Sequence, residues 1–385
     1  MTKNGFKVMD SDMHVNETWD VWLNNIDPEY RDLAPVGMTK DQLVMNMAIQ
    51  GKPIAGFLAN ADIQVNEEET SRRKVEAEHG NKYLKPAIDR GFDPVSQLHA
   101  MDTEGLDLAI IFPTRGMSVA GVPYQDGRYA GAVARAYNDW ISDFCSRDTA
   151  RMRPAAMVLA ADVHEAVTEV RRTRNGMGFL SAYLHPNPVQ GRNWHNPIYD
   201  PLWQECQELD IPVTFHETFK CSLPQAVADR FYDEPDHIWT MGHVACHPIE
   251  QMYACLCFCA GGILDRYPEL RVAFLECNTG WLPFWLWRMD EHYEHRVEQA
   301  SRYQSVLPSE CFKRQCYLAI DPDEGPAKYA VDWIGDDNFV FSTDYPHADG
   351  KYPFATDEFL KLPLAEESKK KVLWDNCAKL YGISN

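Results

Sequence analysis

The chain alternates between short apolar runs and longer amphipathic segments from residue 96 to its end. Almost continuous apolar character is typical of strands in a parallel sheet that is covered on both faces. Seven such runs in this part of the chain are predicted strands: Asp107–Phe112, Met152–Leu159, Gly178–Leu184, Ile211–His216, Leu270–Glu276, Gln315–Ile320 and Asn338–Ser342. An eighth strand opens the chain, around Val8–Val15.

The segments between the apolar runs have the period of amphipathic helices. The predicted helices are Pro94–Glu104, Tyr129–Arg147, Ala161–Arg174, Pro201–Leu209, His247–Arg266, Trp281–Glu298, Pro326–Ile334 and Ala365–Leu380. Eight strands that alternate with helices close most naturally as an α/β fold of the (β/α)8 TIM barrel type. An open doubly wound sheet is the alternative, but no glycine-rich GxGxxG turn follows the first strand. We therefore expect residues 1–385 to form a single barrel domain.

A long insertion follows the first strand. Residues 18–95 have no strong strand pattern and include a charged run at Glu67–Arg73. Loops of this length usually have a function, so we expect a lid or a partner-binding arm; a partly disordered insertion is the alternative. Together with the loop 217–246, this segment is expected to shape the pocket. A segment rich in apolar and aromatic residues would also suit a homo-oligomer, and we expect a dimer.

The composition narrows the classes of function. No run of about 18 apolar residues is present, so no transmembrane helix and no membrane partner are expected. Residues 1–5 lead directly into the first strand without the apolar region of a signal peptide, which predicts a cytoplasmic protein. The net charge of -20 argues against nucleic acid as a partner, because phosphate binding requires clustered Lys and Arg. The eleven cysteines include no CxxC pair, which favours reduced core thiols over a zinc ribbon.

The opening strand carries four side chains that can bind a metal or a proton: Asp10, Asp12, His14 and Glu17. Alternate residues of a strand face the same side, so Asp10, Asp12 and His14 would point together into one cavity. A solvated edge strand, or an Asp that caps a following helix, would account for the same residues. The residues at the other strand ends are needed to choose between a metal site and these alternatives.

Reactive groups of a (β/α)8 barrel lie at the carboxyl ends of its strands. Five of the eight predicted strand ends carry His, Asp or Glu, and they are Asp12 with His14, His185, His216 with Glu217, Glu276, and Asp344 with His347. Carboxylates cannot be buried together without a cation or shared protons. A divalent ion would resolve this conflict, with Asp12, His14 and His216 as ligands and Asp344 as a further ligand or as the base that takes a proton from bound water.

Four stretches resemble the amidohydrolase-related branch of the amidohydrolase superfamily: Asp10–His14, His216, Gly262–Trp285 and Ser342–His347. That branch includes metal-dependent hydrolases and the non-oxidative decarboxylases related to aminocarboxymuconate-semialdehyde decarboxylase. The resemblance extends over nearly the whole chain except about residues 25–90. It implies the (β/α)8 barrel, with Asp12 and His14 at the first-strand HxH positions.

The same resemblance implies that His216 is the fifth-strand ligand and Asp344 the eighth-strand Asp. This chain departs from the family pattern at Asp12, where a His is usual, and at Glu276, where a sixth-strand His is frequent. Both replacements offer a harder oxygen ligand, which predicts Mn²⁺ or Fe²⁺ rather than Zn²⁺. One ion is the default, and two are possible if Glu276, Glu17 or His247 also binds metal.

Other residues are expected around the ion. His247 precedes Pro248, which favours a helix start, and there it would act as an acid or bind substrate; otherwise it packs in a loop. Thr114 and Arg115 at the second strand end are candidate contacts for an anionic substrate. Two further histidines are candidate substrate contacts. His185 would line the pocket or cap its strand, and His347 would orient Asp344 or touch substrate.

A cluster of large aromatic residues follows the sixth predicted strand. It consists of Trp281, Phe284, Trp285 and Trp287, and such a cluster on a helix usually packs against the barrel. We therefore predict that the cluster is part of the core. Arg288, on the same helix, is predicted to be a surface or ion-pair residue.

The function that these observations favour is a metal-dependent hydrolase of a small molecule. Water held between the ion and Asp344 would attack an acyl carbon of an amide, ester, lactone or thioester. His247 and Glu276 are the other candidate catalytic residues. A metal-dependent decarboxylase is the main alternative, and a non-catalytic barrel is the third possibility.

Overall fold

The structure is a computed structural model of the chain. It describes residues 3–18, 20–37, 47–49, 52–53, 82–218, 226–227, 230, 241–347 and 350–383. The predicted barrel is confirmed. Its eight strands, numbered here in chain order, are β1 Met9–Val15, β2 Leu108–Pro113, β3 Met152–Met157, β4 Ser181–Leu184, β5 Val213–Phe215, β6 Val272–Phe274, β7 Cys316–Ile320 and β8 Phe339–Phe341. All neighbours along this order pair in parallel.

The two outer strands of this order meet at a seam. The backbone N–H of His14 donates to the carbonyl of Tyr345 at 2.7 Å. Just below, the hydroxyl of Thr343 donates to the carboxylate of Asp10. These bonds join the end of β8 to β1, so the eight strands enclose a nearly closed barrel.

Helices cover the outside of the barrel. They are α1 Val21–Asn25, α2 Pro94–Glu104, α3 Arg115–Ala120, α4 Gly127–Cys145, α5 Val163–Met177, α6 Asp200–Glu208, α7 His243–Ala260, α8 Ile263–Arg266, α9 Leu282–His295, α10 Val297–Ala300, α11 Pro308–Gln315, α12 Ala327–Ile334, α13 Ala355–Phe359, α14 Glu366–Lys370 and α15 Asn376–Tyr381. A π-helical turn, Lys371–Asp375, joins the last two, and residues 82–89 are also helical.

The bounds of α2 show why local signals predict some helices well. Asp93 caps its first turn by accepting the N–H of Ser96, and Pro94 occupies the first helical position. Gly105 ends the helix in the left-handed conformation, with φ of 77°. The predicted bounds of this helix, Pro94 and Glu104, are those of the structure.

The barrel core is continuous and apolar. Every residue of β2, β5, β6, β7 and β8 is buried, as expected of strands that are covered on both faces. Stacked rings extend outward from the sheet, with Phe215 against Phe274 and Phe274 against Phe312. The ten cysteines of the described residues form no disulfide bonds and are buried, in agreement with the predicted core thiols.

Helix α7 begins earlier than the sequence indicated. Pro248 lies inside the helix, which starts at His243 instead of His247. Proline lacks the N–H that would bond to the carbonyl of Val244, so the helix continues through Pro248 at the expense of one hydrogen bond. Because the helix is continuous, His243 and His247 lie on one face, with their rings 4.3 Å apart.

The described parts of the insertion add short elements beside the barrel. Antiparallel strands at Val36–Gly37, Met47–Ile49 and Lys52–Pro53 form a small three-stranded sheet. The predicted lid and pocket-shaping roles fall largely on residues 38–46, 54–81 and 219–240, most of which lie outside the described residues. Those roles, and the assignment of the whole chain to one domain, stay predictions.

The prediction that the aromatic cluster is core is wrong for two of its four members. Trp281 and Trp285 are half-buried and pack against the core, but Phe284 is 56% exposed and Trp287 is 51% exposed. Helix α9 faces the barrel with Leu282, Leu286 and Met289. Phe284 and Trp287 project from the opposite side of that helix.

Candidate metal centre and active site

Polar side chains from four strand ends converge in the mouth of the barrel. Asp12 and His14 lie at the end of β1, His216 follows β5, Glu276 follows β6, and Asp344 follows β8. A bulge in β1 between Asp10 and Met13 shifts its pairing with β2 and so adjusts the direction of these side chains. The barrel therefore brings together residues that are more than 300 positions apart.

The donor atoms lie within a few ångströms of one another. His14 Nε2 is 3.4 Å from Asp12 Oδ1 and 3.4 Å from Asp344 Oδ1. His216 Nε2 is 3.5 Å from Asp12 Oδ2. Ligands of one ion, at bond lengths of about 2.1 Å, stand roughly 3.0–3.5 Å apart. Asp12, His14 and His216 therefore suit a single divalent cation, since their donor atoms all lie within 4.8 Å of one another, and Asp344 adjoins this group through His14.

Both histidines are held in the tautomer that metal binding requires. The Nδ1 atom of His14 lies 2.7 Å from the carbonyl of Pro113, and that of His216 lies 2.8 Å from the carbonyl of Glu217. A carbonyl oxygen only accepts, so each Nδ1 carries the proton. The lone pair of each neutral ring is then at Nε2, which points to the centre of the site.

Unsatisfied polar atoms provide the test of whether the residues fit a metal. Both carboxylate oxygens of Asp12 and the Nε2 atoms of His14 and His216 are fully buried and make no hydrogen bond within the described part of the chain. Burying such atoms without a partner is costly. A cation would satisfy all four at once, so the donor set fits a divalent metal.

The position of Asp344 is set by its backbone conformation and by a contact with His347. It adopts a left-handed conformation with φ of 55°, which is uncommon for a residue with a side chain. His347 Nδ1 lies 2.5 Å from Asp344 Oδ1, and His347 Nε2 lies 3.0 Å from Thr114 Oγ1. The His347 ring also stacks on His14 at 4.2 Å. Thr114 and His347 therefore orient Asp344 in this structure.

Glu276 lies between the candidate ligands and helix α7. It also has a left-handed backbone, with φ of 44°. One carboxylate oxygen is 3.0 Å from His216 Nε2. The other is 3.5 Å from His247 Nδ1 and 4.0 Å from His243 Nε2. Glu276 can thus serve as a further ligand or as the partner of a protonated His247.

The electrostatics show how strongly this cavity requires positive charge. Burial disfavours the charged forms of all these groups, but the mutual attraction of opposite charges exceeds it. The imidazoles of His216 and His14 lower the pKa of Asp12, and His247 and His216 lower that of Glu276 well below its usual range. Conversely, Asp12 and Glu276 raise the pKa of His216 well above its usual value. A bound cation would replace these protons as the balancing charge.

Asp10 lies one layer deeper than Asp12 and His14. Its carboxylate accepts the backbone N–H of Asp12 at 3.0 Å, the N–H of Thr343 at 3.2 Å and the Thr343 hydroxyl. Burial raises the pKa of Asp10 to about 7, although these hydrogen bonds partly oppose the rise. Asp10 joins the two strands that carry Asp12 and Asp344.

Glu17 is not brought to the candidate metal site. Its carboxylate accepts the backbone N–H groups of Thr114, Arg115 and Gly116 at 3.3, 2.8 and 2.8 Å, so it caps the first turn of α3. A carboxylate is favoured at a helix N-terminus because it satisfies the amides there. Glu17 as a ligand of a second ion therefore has no support in the geometry.

Two predicted substrate contacts are buried beyond the ends of β2 and β4. Arg115 is buried and donates to the backbone carbonyl of Glu17 at 2.7 Å. His185 follows β4, and its Nε2 lies 3.5 Å from Glu217. Burial, with the nearby His216, lowers the pKa of His185 to about 3, so this ring is neutral. The substrate-binding roles of both residues stay predictions.

The sequence analysis gave no role to two groups that border the site. His243 joins His247 and Glu276 in a cluster whose atoms lie within 4.8 Å of one another. The HxxxH spacing was a signal for it, but Pro248 argued against a continuous helix. At the end of β7, Asp321 accepts a hydrogen bond from Asn278 at 2.6 Å. Nothing in the apolar run of that strand indicated that Asp321 faces Glu276.

Comparisons with known proteins agree with the fold. A family model described as amidohydrolase matches residues 12–383. Gamma-resorcylate decarboxylase of Rhizobium sp. strain MTP-10005 is 26% identical over 296 residues, which is 75% of this chain and 86% of that protein. The 2-amino-3-carboxymuconate-6-semialdehyde decarboxylase of Dictyostelium discoideum is 24% identical over 309 residues, covering 78% and 80%.

A solved structure has the same fold with a metal bound. Dihydroxybenzoic acid decarboxylase from Polaromonas sp. JS666, with manganese and the inhibitor 2-nitroresorcinol, superposes with a TM-score of 0.66 at 20% identity. The match covers all of this chain, 100%, and 98% of that one. At this identity the likeness shows the shared fold.

The comparisons correct the expected reaction. The hydrolase predicted from the sequence is wrong, because the similar proteins are non-oxidative decarboxylases. The prediction rested on the candidate metal ligands of the barrel mouth, which do not distinguish the two reactions. A hydrolase that activates water and a decarboxylase that binds a carboxylate require the same kind of ion. The match over residues 12–383 and the decarboxylase relatives show that the chain is an enzyme of the amidohydrolase family, in the branch related to aminocarboxymuconate-semialdehyde decarboxylase.

Proposed function

We propose that the protein is a divalent-metal-dependent, non-oxidative decarboxylase of a small unsaturated or aromatic acid. The observation that carries the proposal is the group of buried donor atoms on Asp12, His14 and His216, with Asp344 next to His14 and Glu276 next to His216 and His247. The names of the relatives support the reaction. Within the described residues, no helix is long and apolar enough to cross a membrane, and we propose a soluble, cytoplasmic enzyme.

The relatives suggest which acids to test. Gamma-resorcylate and 2-amino-3-carboxymuconate semialdehyde both have a hydroxyl or amino group on the carbon next to the one that bears the carboxylate. We expect the same arrangement in the substrate of this enzyme. Two neighbouring polar groups can bind together at one end of the barrel mouth, while the rest of the molecule lies against its apolar wall.

The residues that would hold the ion are Asp12, His14, His216 and Asp344. When bound, a divalent ion supplies concentrated positive charge that attracts a carboxylate and a neighbouring oxygen. Two imidazole and two carboxylate ligands suit Mn²⁺, which a related structure binds, and Fe²⁺ is the other expected metal. One ion is proposed, because Glu17 is occupied at the start of α3 and Glu276 faces His247.

His247 and Glu276 are the residues to which we assign proton transfer. Decarboxylation breaks the bond between the carboxyl carbon and its neighbour, releases CO2 and forms a C–H bond, so one proton must reach that carbon. The Glu276 carboxylate, 3.5 Å from His247 Nδ1, stabilises the protonated imidazole. We assign proton delivery to His247, and we assign to Glu276 the stabilisation of the charged ring.

We assign to Asp344 and its hydrogen-bond partners a role in setting the geometry of the candidate metal site. His347 and Thr114 hold the Asp344 carboxylate, and the left-handed backbone turns it toward His14. Arg115 and His185 are buried beyond the ends of β2 and β4, and we assign them to substrate orientation. The neutral ring of His185 can donate or accept a hydrogen bond without adding charge.

Product analysis in heavy water tests the reaction. The protein loaded with Mn²⁺ is incubated with 2,6-dihydroxybenzoate, the acid also named gamma-resorcylate. The expected products are one CO2 for each resorcinol, with deuterium at the carbon that lost the carboxylate. A protein that turns over none of a panel of such 2-hydroxy and 2-amino acids contradicts the proposal. So does a product that keeps its carboxylate.

A further inference from the structure

Three arginines belong to the end of the barrel that lies opposite the candidate metal centre. Arg153 is the second residue of β3, Arg271 immediately precedes β6, and Arg174 lies in the last turn of α5, which leads into β4. The amino ends of parallel strands share one end of a barrel, so all three residues are at the end where the strands begin. Each is half-buried. We call these three residues the arginine cluster.

Hydrogen bonds bring two of these side chains to one point. The Nη2 atoms of Arg174 and Arg271 both donate to the carbonyl of Asp210, each at 3.2 Å. Arg174 also donates to the carbonyls of Leu209 and Phe179, at 3.1 Å each. Because two donors share one carbonyl oxygen, the guanidinium groups of Arg174 and Arg271 are direct neighbours.

The pairing of β3 with β4 places the third arginine beside them. Ala155 pairs with Ser181, so Arg153, two residues earlier on β3, is level with Phe179. The carbonyl of Phe179 is one of those that accept a hydrogen bond from Arg174. The backbone of Arg153 is therefore next to the place where Arg174 binds, and the arginine cluster draws on β3, on α5 and on the start of β6.

The arginine cluster has little negative charge around it. Asp210 pairs with Arg271 at 2.7 Å, and the Asp210 side chain is 62% exposed. Among the residues that the structure describes, no other carboxylate forms an ion pair with the cluster. By contrast, Arg172 alone binds two carboxylates, those of Glu169 and Asp139. Three positive charges thus share one carboxylate in a chain whose net charge is -20.

Both the charges and the hydrogen-bond donors of the cluster lack partners. The Nε atoms of Arg153 and Arg271 are buried and have no hydrogen-bond partner within the described part of the chain. Burial and the positive charges of Arg271 and Arg153 lower the pKa of Arg174, although Asp210 opposes the change. Buried donors without acceptors and like charges held together both cost free energy. An anion bound among the three side chains would offset both costs.

We propose that the arginine cluster binds a small oxyanion, with inorganic phosphate as the best match. A guanidinium group donates parallel N–H bonds to two oxygens of a phosphate, and these charge-assisted bonds are strong. The oxygens of phosphate point in several directions, so one ion can accept from more than one arginine. The bound ion would join β3 to β6 at the amino end of the barrel. This inference does not rest on the proposed reaction, whose residues follow the carboxyl ends of the strands.

Isothermal titration calorimetry with inorganic phosphate, at constant ionic strength, tests the site in the full chain loaded with Mn²⁺. The native protein is expected to bind one phosphate, with a dissociation constant in the millimolar range or lower. Arg153→Gln removes one guanidinium group, and the dissociation constant is expected to rise about 10-fold or more. Arg288→Gln is the control, because it removes the same charge from an exposed ion pair on α9. It is expected to bind phosphate as the native protein does.

Two further variants locate the bound phosphate. Arg271→Gln changes a second member of the cluster and is expected to weaken binding by a similar factor, with near-ultraviolet circular dichroism as the check that each variant is folded. Asp12→Asn changes a candidate metal ligand and is expected to bind phosphate unchanged. A native protein that binds no phosphate overturns the proposal, as does unchanged binding in either folded arginine variant. Loss of binding in Asp12→Asn also overturns it, because the phosphate would then lie on the metal.

Discussion

The side chains on the two sides of the barrel mouth differ in how closely their neighbours hold them. On the side of β1 and β8, Asp10 joins the strands through two hydrogen bonds from Thr343, and His347 fixes Asp344 at 2.5 Å. On the side of β6 and α7, Glu276 faces His247 and His243 at 3.5 and 4.0 Å, and His243 is 30% exposed. The tight side is suited to hold an ion of fixed geometry. The looser side is suited to move a proton and admit a substrate.

The largest effect is expected on the tight side. Asp12→Asn removes one of the negative charges that balance a cation and leaves both histidines in place. Metal content is expected to fall far below one ion per chain, and activity by more than the roughly 10–100-fold that even indirect changes around a metal cause. Elemental analysis and the decarboxylation rate measure both.

Asp323→Asn is the matched control for this change. Asp323 is exposed and pairs with Lys351 at 2.9 Å at the end of β7, away from the candidate ligands. It is expected to keep its metal. An Asp12→Asn protein that retains a full equivalent of metal would remove Asp12 from the ligand set.

The next effect tests the loose side. His247→Asn removes the proposed proton donor, and the rate of turnover is expected to fall about 10²–10⁴-fold, the usual contribution of a general acid. Metal content should be unchanged, because the candidate ligands are untouched. Measuring kcat and metal content in one preparation distinguishes a loss of proton transfer from a loss of metal. The control is His292→Asn, which changes an exposed histidine on α9. If metal were lost together with activity, His247 would belong to the tight side.

A smaller effect is expected from the residue that orients Asp344. His347→Phe keeps a ring to stack on His14 but loses the hydrogen bonds to Asp344 and Thr114. We expect metal affinity to weaken about 10–100-fold, with the fold unchanged. Titration with Mn²⁺ measures this affinity. An unchanged affinity would mean that the left-handed backbone alone suffices to place Asp344.

The smallest effect concerns stability. Glu250 on α7 accepts the backbone N–H of Val227, and burial raises its pKa from 4.5 to about 7. The folded protein then binds a proton more tightly than the unfolded chain, so this group lowers the free energy of unfolding as pH rises from about 4.5 to 7. Glu250→Gln is expected to flatten that decline by about 1–3 kcal/mol.

Urea denaturation at several pH values follows this decline. Glu208→Gln is a suitable comparison, since Glu208 is an exposed glutamate at the end of α6. It is expected to leave the pH dependence as it is. A parallel pH profile for Glu250→Gln and the native protein would show that this carboxyl does not hold its proton in the fold.

Local sequence determined the barrel because its signals are short-range. Apolar runs predicted all eight strands, and the caps Asp93 and Gly105 set α2 to the residue. The order of strand ends in a parallel barrel then predicted that Asp12, His14, His216 and Asp344 share one candidate site. Periodicity and the barrel rule are sufficient for that step.

Tertiary structure decided what depends on the partners of each side chain. Glu17 looked like a ligand until three amides of α3 accounted for its oxygens. The outward direction of Phe284 and Trp287 depends on which side of α9 meets the barrel, and both sides of that helix are rich in apolar residues. His243 became a neighbour of Glu276 only because α7 continues through Pro248. Hydrogen-bond partners and exposure are set by long-range packing, which no short stretch of sequence contains.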